Sequence, residues 1–330
     1  MQENLIKRTV LVGCVSALLA AMAVLAGCSG EDAYPTKAIE LVVSLPPGGG
    51  SDLGARVVAK GLAKELGVPV NVVNKPGGNQ VTGVKSVMDA PKDGYTLVAD
   101  GASQSSLFSL QKAVPFKIEE RTFIARVMTA AHGIAVPGNS PYKTLKELTD
   151  AVKAKPEDFM WGWSGASTTS DFVSLQLLHE AGIDINKTKR VPINGSGKMV
   201  TAVAGNHIHL ATGGAAAFFA MAKSGNVRVL AVTGDKRMEQ LSDVPTTTEA
   251  GFPKVNLDWW IGISGPAGLP KNVVDRLTKA CEKIAKDPEV IKELVNIGAY
   301  PNYIGPAQIR EHVVKEIEMF KMLAAQVIGE

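Results

Sequence analysis

Four short segments combine glycine with small hydroxyl residues where a strand gives way to a helix. They are Pro46-Pro47-Gly48-Gly49-Gly50-Ser51-Asp52, Asp100 to Ser105, Ser164 to Ser170, and Asn194-Gly195-Ser196-Gly197. Glycine lets a backbone come close to a ligand, and the free amides at a helix start favour an anion. Ser51, Ser103, Ser164, Ser167, Thr168, Thr169 and Ser196 add neutral hydroxyls. None of the four segments contains Arg, and only Lys198 borders one. The chemistry open to them is to hold a carboxylate through amides, hydroxyls and water, without a strong ion pair. Taken singly, any one of these loops reads as a helix N-cap. Four in one α/β chain point instead to a ligand cleft at the carboxyl ends of strands.

Other chemistries fail on residue type or spacing. Gly195-Ser196-Gly197-Lys198 ends like a phosphate loop, but Met199 stands where Ser or Thr must follow Lys, and Pro192 where the leading Gly belongs. Pro46 to Asp52 lacks the G-x-G-x-x-G spacing of a dinucleotide turn. Gly162-Trp163-Ser164-Gly165-Ala166 misses the final Gly of a nucleophile elbow, and Asp171 reads as a cap or ligand contact rather than a triad acid. The histidines are His132, His179, His207, His209 and His312. His207 and His209 would share one face of a strand, yet no Cys, Asp or Glu stands close by to complete a metal site. No metal, cofactor or catalysis is expected. Trp161, Trp163, Trp259 and Trp260 could wall a pocket, although packing is the simpler reading.

The elements that must position these loops follow from periodicity. Ile39 to Ser44 reads as a buried strand, followed by a helix with Leu53, Val57, Val58, Leu62 and Leu66 on one side and a stop near Gly67. Val70 to Val73, a helix at Val81 to Ala90, and a strand at Tyr95 to Ala99 continue the alternation, which predicts a parallel sheet. The pattern then repeats. Thr144 and Glu147 form a capping box, a strand at Phe159 to Trp163 leads to a helix from Asp171 to Ala181, and Lys189 to Ile193 precedes a helix ending at Ala204. Ile208 to Ala211 and Val227 to Val232 read as strands flanking a small-residue helix. The tail from Pro270 to Ile328 reads as mainly helical, broken at Pro288, Gly298 and Pro306. Two similar α/β lobes fit this recurrence better than one continuous sheet.

Composition sets the class. The 330 residues are 45% hydrophobic and 20% charged, which excludes a disordered chain, a collagen-like repeat and a polytopic membrane protein. A net charge of +3 and 5% aromatic residues argue against nucleic acid as a partner. At the amino terminus, Lys7 and Arg8 precede an apolar run from Val10 to Ala26 that ends Leu25-Ala26-Gly27-Cys28, the layout of a secretory signal. That ending resembles the bacterial lipobox, in which the Cys is acylated and the chain cut before it. The expectation is a signal peptide over 1–27, lipidation at Cys28, a tether over 28–33, and a globular part outside the cytoplasm. Cys281 is then the one free thiol, and its helical setting predicts a buried, inert one.

In order, these loops resemble the substrate-binding proteins of tripartite tricarboxylate transporters, the TctC or Bug family. The resemblance runs from Tyr34-Pro35-Thr36-Lys37 through Pro46 to Asp52 with Ala55-Arg56, then Asn74-Lys75-Pro76-Gly77-Gly78 and Asp93-Gly94-Tyr95-Thr96-Leu97. It continues through Gly182-Ile183-Asp184, Gly195-Ser196, Leu230 to Thr233, Val244-Pro245-Thr246, Glu249-Ala250-Gly251 and Gly265-Pro266-Ala267-Gly268, and so spans the mature chain. It implies a two-lobed fold of the type II periplasmic-binding-protein kind with a central cleft. Lobe 1 would be 34–133 plus 258–330, and lobe 2 would be 134–257. The implied function is capture of a small organic acid by hinge closure and delivery to small and large membrane permease subunits, by a monomeric, lipid-anchored receptor. A receptor serving a sensor kinase and an extracytoplasmic hydrolase are the alternatives. The ligand residues it implies are Pro47, Gly48, Gly49, Gly50, Ser51, Asp52, Ser164, Gly165, Ser167, Thr168, Gly195 and Ser196, with Ser103 a further candidate. Asp171 and Asn194 mark departures. The family usually has a second Gly and a helix His where Ser167 and Asp171 stand, and Tyr-Lys where Ile193-Asn194 stands. The expectation is a ligand that is not a typical dianion, either a monoanion or one with an amine near Asp171.

Overall fold

The computed structural model describes residues 34–111, 114–118 and 121–327. The expected signal, lipobox and Cys28 lie outside the described residues. From Lys37 onward the chain forms one compact unit.

The first strand and helix form as their sequences require. Strand β1 (Ile39–Val43) is apolar and buried. Helix α1 (Gly50–Leu66) ends where Gly67 turns left-handed at φ 75° and its amide bonds back to the Ala63 carbonyl. Strand β2 (Val70–Asn74), helix α2 (Val81–Met88) and strand β3 (Thr96–Asp100) follow, and β1 pairs in parallel with both β2 and β3.

Beyond β3 the sheet is not the parallel one the alternation predicts. Strands β4 (Thr122–Ala130) and β5 (His132–Pro137) are separated by Ala131 alone, and each enters a different sheet. Helix α3 (Leu145–Ala154) is capped as expected: the Glu147 amide donates to Thr144 Oγ1 at 3.1 Å, while the Glu147 carboxylate accepts from the Lys143 amide. Strand β6 (Met160–Trp163), helix α4 (Thr169–Glu180), strand β7 (Lys189–Pro192) and helix α5 (Ser196–Ala204) follow the predicted order. Strand β8 is displaced. It is Ala211–Gly214 rather than Ile208 to Ala211, and His207 and His209 lie in the turn before it, not on a strand face. Ile208 and Leu210 are buried as core instead, and Leu210 makes a single bridge to Trp161.

Helix α6 (Phe219–Lys223) and strand β9 (Val227–Val232) lead to β10 (Trp259–Gly265), which the sequence pattern did not mark as a strand. The tail holds α7 (Lys271–Ile284), α8 (Pro288–Asn296), a further strand β11 (Ala299–Ile304), and α9 (Pro306–Val327). Pro301 hides β11 in the sequence. It is tolerated because β11 is an edge strand, with its register shifted between Pro301 and Ile304.

The main sheet has the order β11-β4-β10-β3-β1-β2, with β10 antiparallel to both β3 and β4. A second sheet, β8-β5-β9, is antiparallel, and β6 and β7 form a parallel pair. The chain passes between the two larger sheets at Ala131 and again just before Trp259, and hydrogen bonds stitch these passages together. Trp259 Nε1 donates to the Ala131 carbonyl at 3.2 Å, and Thr129 Oγ1 donates to the Trp259 carbonyl at 3.2 Å. Helix α9 adds a third link, with Phe320 edge-on to Phe172 of α4 at 5.0 Å between centroids.

Candidate functional site

A cavity of about 60 Å³ opens beside these passages. Each water needs roughly 10–15 Å³ of such space, so the cavity has room for about four to six waters or a compact solute. Three helices begin on it: Gly50, Thr169 and Ser196, the first residues of α1, α4 and α5, all line its wall. In α1 the first intrahelical bond is from the Leu53 amide to the Gly49 carbonyl, so the amides before it have no intrahelical acceptor. Among the described residues the wall includes no Lys or Arg.

The loop ahead of α1 is held by Asp52. Its carboxylate accepts from the Gly48 amide at 3.0 Å, from Arg56 at 2.9 and 3.0 Å, and from Asn74 Nδ2 at 3.0 Å. Burial alone would raise this carboxyl, but Arg56, the Gly48 amide and Asn74 more than offset it and hold it below its usual range. Trp259 closes the loop from the side, so close that a Cβ on Gly50 would lie 2.9 Å from its ring. The loop carrying Ser103 is fixed from below. Asp100 accepts from the Gly101 amide and Ser105 Oγ and pairs with the fully buried Arg121 at 3.1 Å, while Arg121 also donates to the Gln104 carbonyl.

The loop from Ser164 to Thr168 is organised by Asp171, which is 1% exposed. One carboxylate oxygen accepts from the Ser164 amide at 2.9 Å and the other from Ser164 Oγ at 2.7 Å. Burial pushes this carboxyl up to about 6 against the pull of its bonds from Ser164 and the loop amides. His132 is also buried on the cavity wall. Its Nδ1–H donates to the Leu257 carbonyl at 2.8 Å, leaving Nε2 to accept from Thr169 Oγ1 at 2.9 Å. Burial lowers this imidazole to about 4, so it is neutral.

Of the residues singled out in the sequence, Gly49, Gly50, Ser51, Asp52, Ser103, Ser164, Thr168, Gly195 and Ser196 line the cavity together. Ser167 and Asn194 line a neighbouring depression with Gln80. Pro47 and Gly48 are exposed at the outer turn of the first loop, and Gly165 sits at the crest of the third, left-handed at φ 81°. Asp171 lies beneath its loop rather than on the wall, so its charge faces Ser164 and not the cavity. An amine paired directly with it would have no path to the carboxylate. The wall also takes in His132, Gln104, Thr212, Trp259 and Trp260, which the sequence pattern did not assign to the site. Trp161 and Trp163 are packing residues: Trp161 is fully buried, and Arg190 covers the Trp163 ring. His132 bonds Thr169 while Ser164 Oγ bonds Asp171, so Ser164 has no histidine as a hydrogen-bond partner among the described residues. Among the described residues no three His, Cys, Asp or Glu side chains gather as a metal site.

The sequence profile described as "Tripartite tricarboxylate transporter family receptor" matches residues 54–327. The chain is 27% identical to Protein BugT of Bordetella pertussis over 308 residues, covering 92% of this chain and 93% of BugT. The structure of the periplasmic binding protein BugD superposes with a TM-score of 0.82 at 26% identity, over 89% of this chain and 98% of BugD. The Rpa4515 protein of R. palustris, solved with adipate, superposes with a TM-score of 0.83 at 24% identity, over 89% of this chain and 98% of that protein.

Proposed function

Because the chain belongs to the tripartite tricarboxylate transporter receptor family, a family of solute-binding proteins and not enzymes, we propose that it captures a small organic acid outside the cytoplasm and presents it to a membrane permease. The observation that carries this reading is the convergence of three helix starts on one small cavity whose wall has no cationic side chain. Such amides bind a carboxylate without needing a counter-charge. The adipate held by the R. palustris protein agrees with a carboxylic acid as ligand.

In this reading, residues 34–133 with 258–330 form one lobe and 134–257 the other, joined at the stitched passages around Ala131 and Trp259. A ligand that touches loops of both lobes stabilises the closed form over the open one. The small and large membrane subunits of the transporter would receive the closed form. The lipobox-like Leu25-Ala26-Gly27-Cys28 supports a Cys28 lipid anchor that keeps the monomeric receptor at the membrane.

Native mass spectrometry of the soluble chain starting after Cys28, gently purified, should detect a bound organic acid at one per chain. A thermal-shift screen of carboxylic acids on ligand-free protein should then give a concentration-dependent rise in Tm. No stabilisation by any acid in a broad screen would overturn the reading. For the anchor, Cys28→Ser should move the protein from the membrane to the soluble fraction.

A further inference from the structure

The hydrogen bonds on the α4 side of the cavity have a single consistent direction. A carboxylate only accepts, so the 2.7 Å contact between Ser164 Oγ and Asp171 must use the Ser164 proton. The 2.8 Å contact between Ser164 Oγ and Thr168 Oγ1 then needs the Thr168 proton, and the 2.8 Å contact between Thr168 Oγ1 and Ser170 Oγ needs the Ser170 proton. The neighbouring hydroxyls follow the same rule. Thr169 donates to the bare Nε2 of His132, and Thr212 donates to the Ser170 carbonyl at 2.8 Å. All five of these residues line the cavity. Each points its proton into the protein and leaves only lone pairs for a ligand.

We propose that Asp171 is a positioning residue that turns the Ser164–Thr168–Ser170 hydroxyls into acceptors, so that the cavity selects carboxylic acids bearing a hydroxyl or ammonium group over acids without one. This rests on the reading of the chain as a small-acid receptor. The acid's carboxylate takes the helix-start amides, and its hydroxyl or ammonium donates to the acceptor wall. A plain acid of the same length leaves those lone pairs unpaired in a closed cavity, which costs more than the missing bond alone. The Asp at 171 thus acts on selectivity through Ser164 without touching the ligand.

The test compares matched acids by calorimetry at mildly alkaline pH: lactate with propionate, malate with succinate, and alanine with propionate. The wild-type chain should bind the donor-bearing member of at least one pair about tenfold more tightly or better. Asp171→Asn keeps the shape but fixes the opposite direction. Its Oδ1 must face the Ser164 amide, so Nδ2 donates to Ser164 Oγ, and the Ser164 and Thr168 protons then pass along the chain until Ser170 donates to the cavity. The preference should fall to about one or invert, with affinity for the plain acid rising, a gain that simple structural damage does not produce. Thr168→Val provides an independent cut. It frees the Ser170 proton for the cavity and should weaken the same preference if Asp171→Asn does not fold. An unchanged preference in both variants, or a wild type that prefers the plain acids, overturns the inference and leaves the receptor reading standing. If the broad screen finds no acid that stabilises the wild type, the receptor reading falls and takes the inference with it.

Discussion

Gly48, Gly49 and Gly50 are chemically identical, yet alanine should act on each for a different reason. At Gly50 an added Cβ would lie 2.9 Å from Trp259 Cζ2 and 3.2 Å from Cη2, well inside the roughly 3.5–4.0 Å of normal carbon contact. The indole has little room to retreat: its Nε1 holds the Ala131 carbonyl, and its other side packs on Gly214, where a Cβ would lie 3.3 Å away. Overpacking of this kind costs about 1–3 kcal/mol. The gain from replacing Gly by Ala in a helix is at most about 1 kcal/mol, so the clash leaves a net cost of up to about 2 kcal/mol. For a chain of this length that corresponds to a Tm lowered by up to about 3 °C. Gly49 has nothing within 4 Å of its added Cβ and an ordinary φ of −86°, so Gly49→Ala should leave Tm unchanged. Gly49 does line the cavity, however, and a methyl there takes about the space of one water, so affinity should fall. Gly48 faces open space but is left-handed at φ 83°, and Gly48→Ala should cost about 1–2 kcal/mol through the backbone alone. Scanning calorimetry and titration calorimetry on the three variants separate these effects. If Gly50→Ala raised Tm, or Gly49→Ala lowered it as much as Gly50→Ala, contact with Trp259 would not be what keeps residue 50 a glycine.

Gln80 Nε2 donates to the Ser167 carbonyl at 2.6 Å and is braced by Gln104; under the proposed hinge closure this bond joins the two lobes, so Gln80→Ala should weaken ligand binding about tenfold, as titration calorimetry would report. Buried Asp171 is pushed up to about 6 from its ordinary 3.8, so it destabilises the fold when ionised and relieves about 3 kcal/mol as pH falls from about 6 to 4; Asp258 is shifted the same way but is solvent-exposed, and screening leaves it a smaller share. His132 works the other way: held near 4, it loses up to about 3 kcal/mol of stability as pH falls from 6.5 to 4. Between pH 7 and 5 the gain of about 1 kcal/mol at Asp171 and the loss of about 2 kcal/mol at His132 nearly cancel, so Tm should change by no more than about 2 °C, and Asp171→Asn should turn this into a clear fall; a fall of the same size in the wild type would contradict it. Cys281 is fully buried and pushed up to about 12, so a thiol reagent should label it only when the chain unfolds, and rapid labelling of native protein would refute that.

What could be read from the sequence was local. The apolar run at Ile39 to Val43 followed by a glycine-rich turn marks β1 and α1, and the Thr144–Glu147 box marks α3, because in each case the signal and the structure occupy the same few residues. Strand β10 was hidden for the opposite reason. Trp259-Trp260 read as packing, and only its insertion between β3 and β4 turns these rings into a cavity wall. Strand β8 ends on Gly213 and Gly214, poor strand formers that are needed because Ser196 and Trp259 press close against them. The hydroxyl-rich loops were legible as elements that gather on one cavity, but not the direction of their protons, which depends on where Asp171 and His132 fall in three dimensions.

A wall without a cationic side chain also sets how capture responds to salt. No Lys or Arg lines the cavity, and its one carboxylate, that of Asp52, is already paired with Arg56. Taking up a solute there displaces few counterions, and its contacts are far shorter than the screening length of about 10 Å at 0.1 M salt. Affinity built on amides and hydroxyls changes little between dilute and saline surroundings, whereas a receptor relying on exposed cations loses its hold as salt rises.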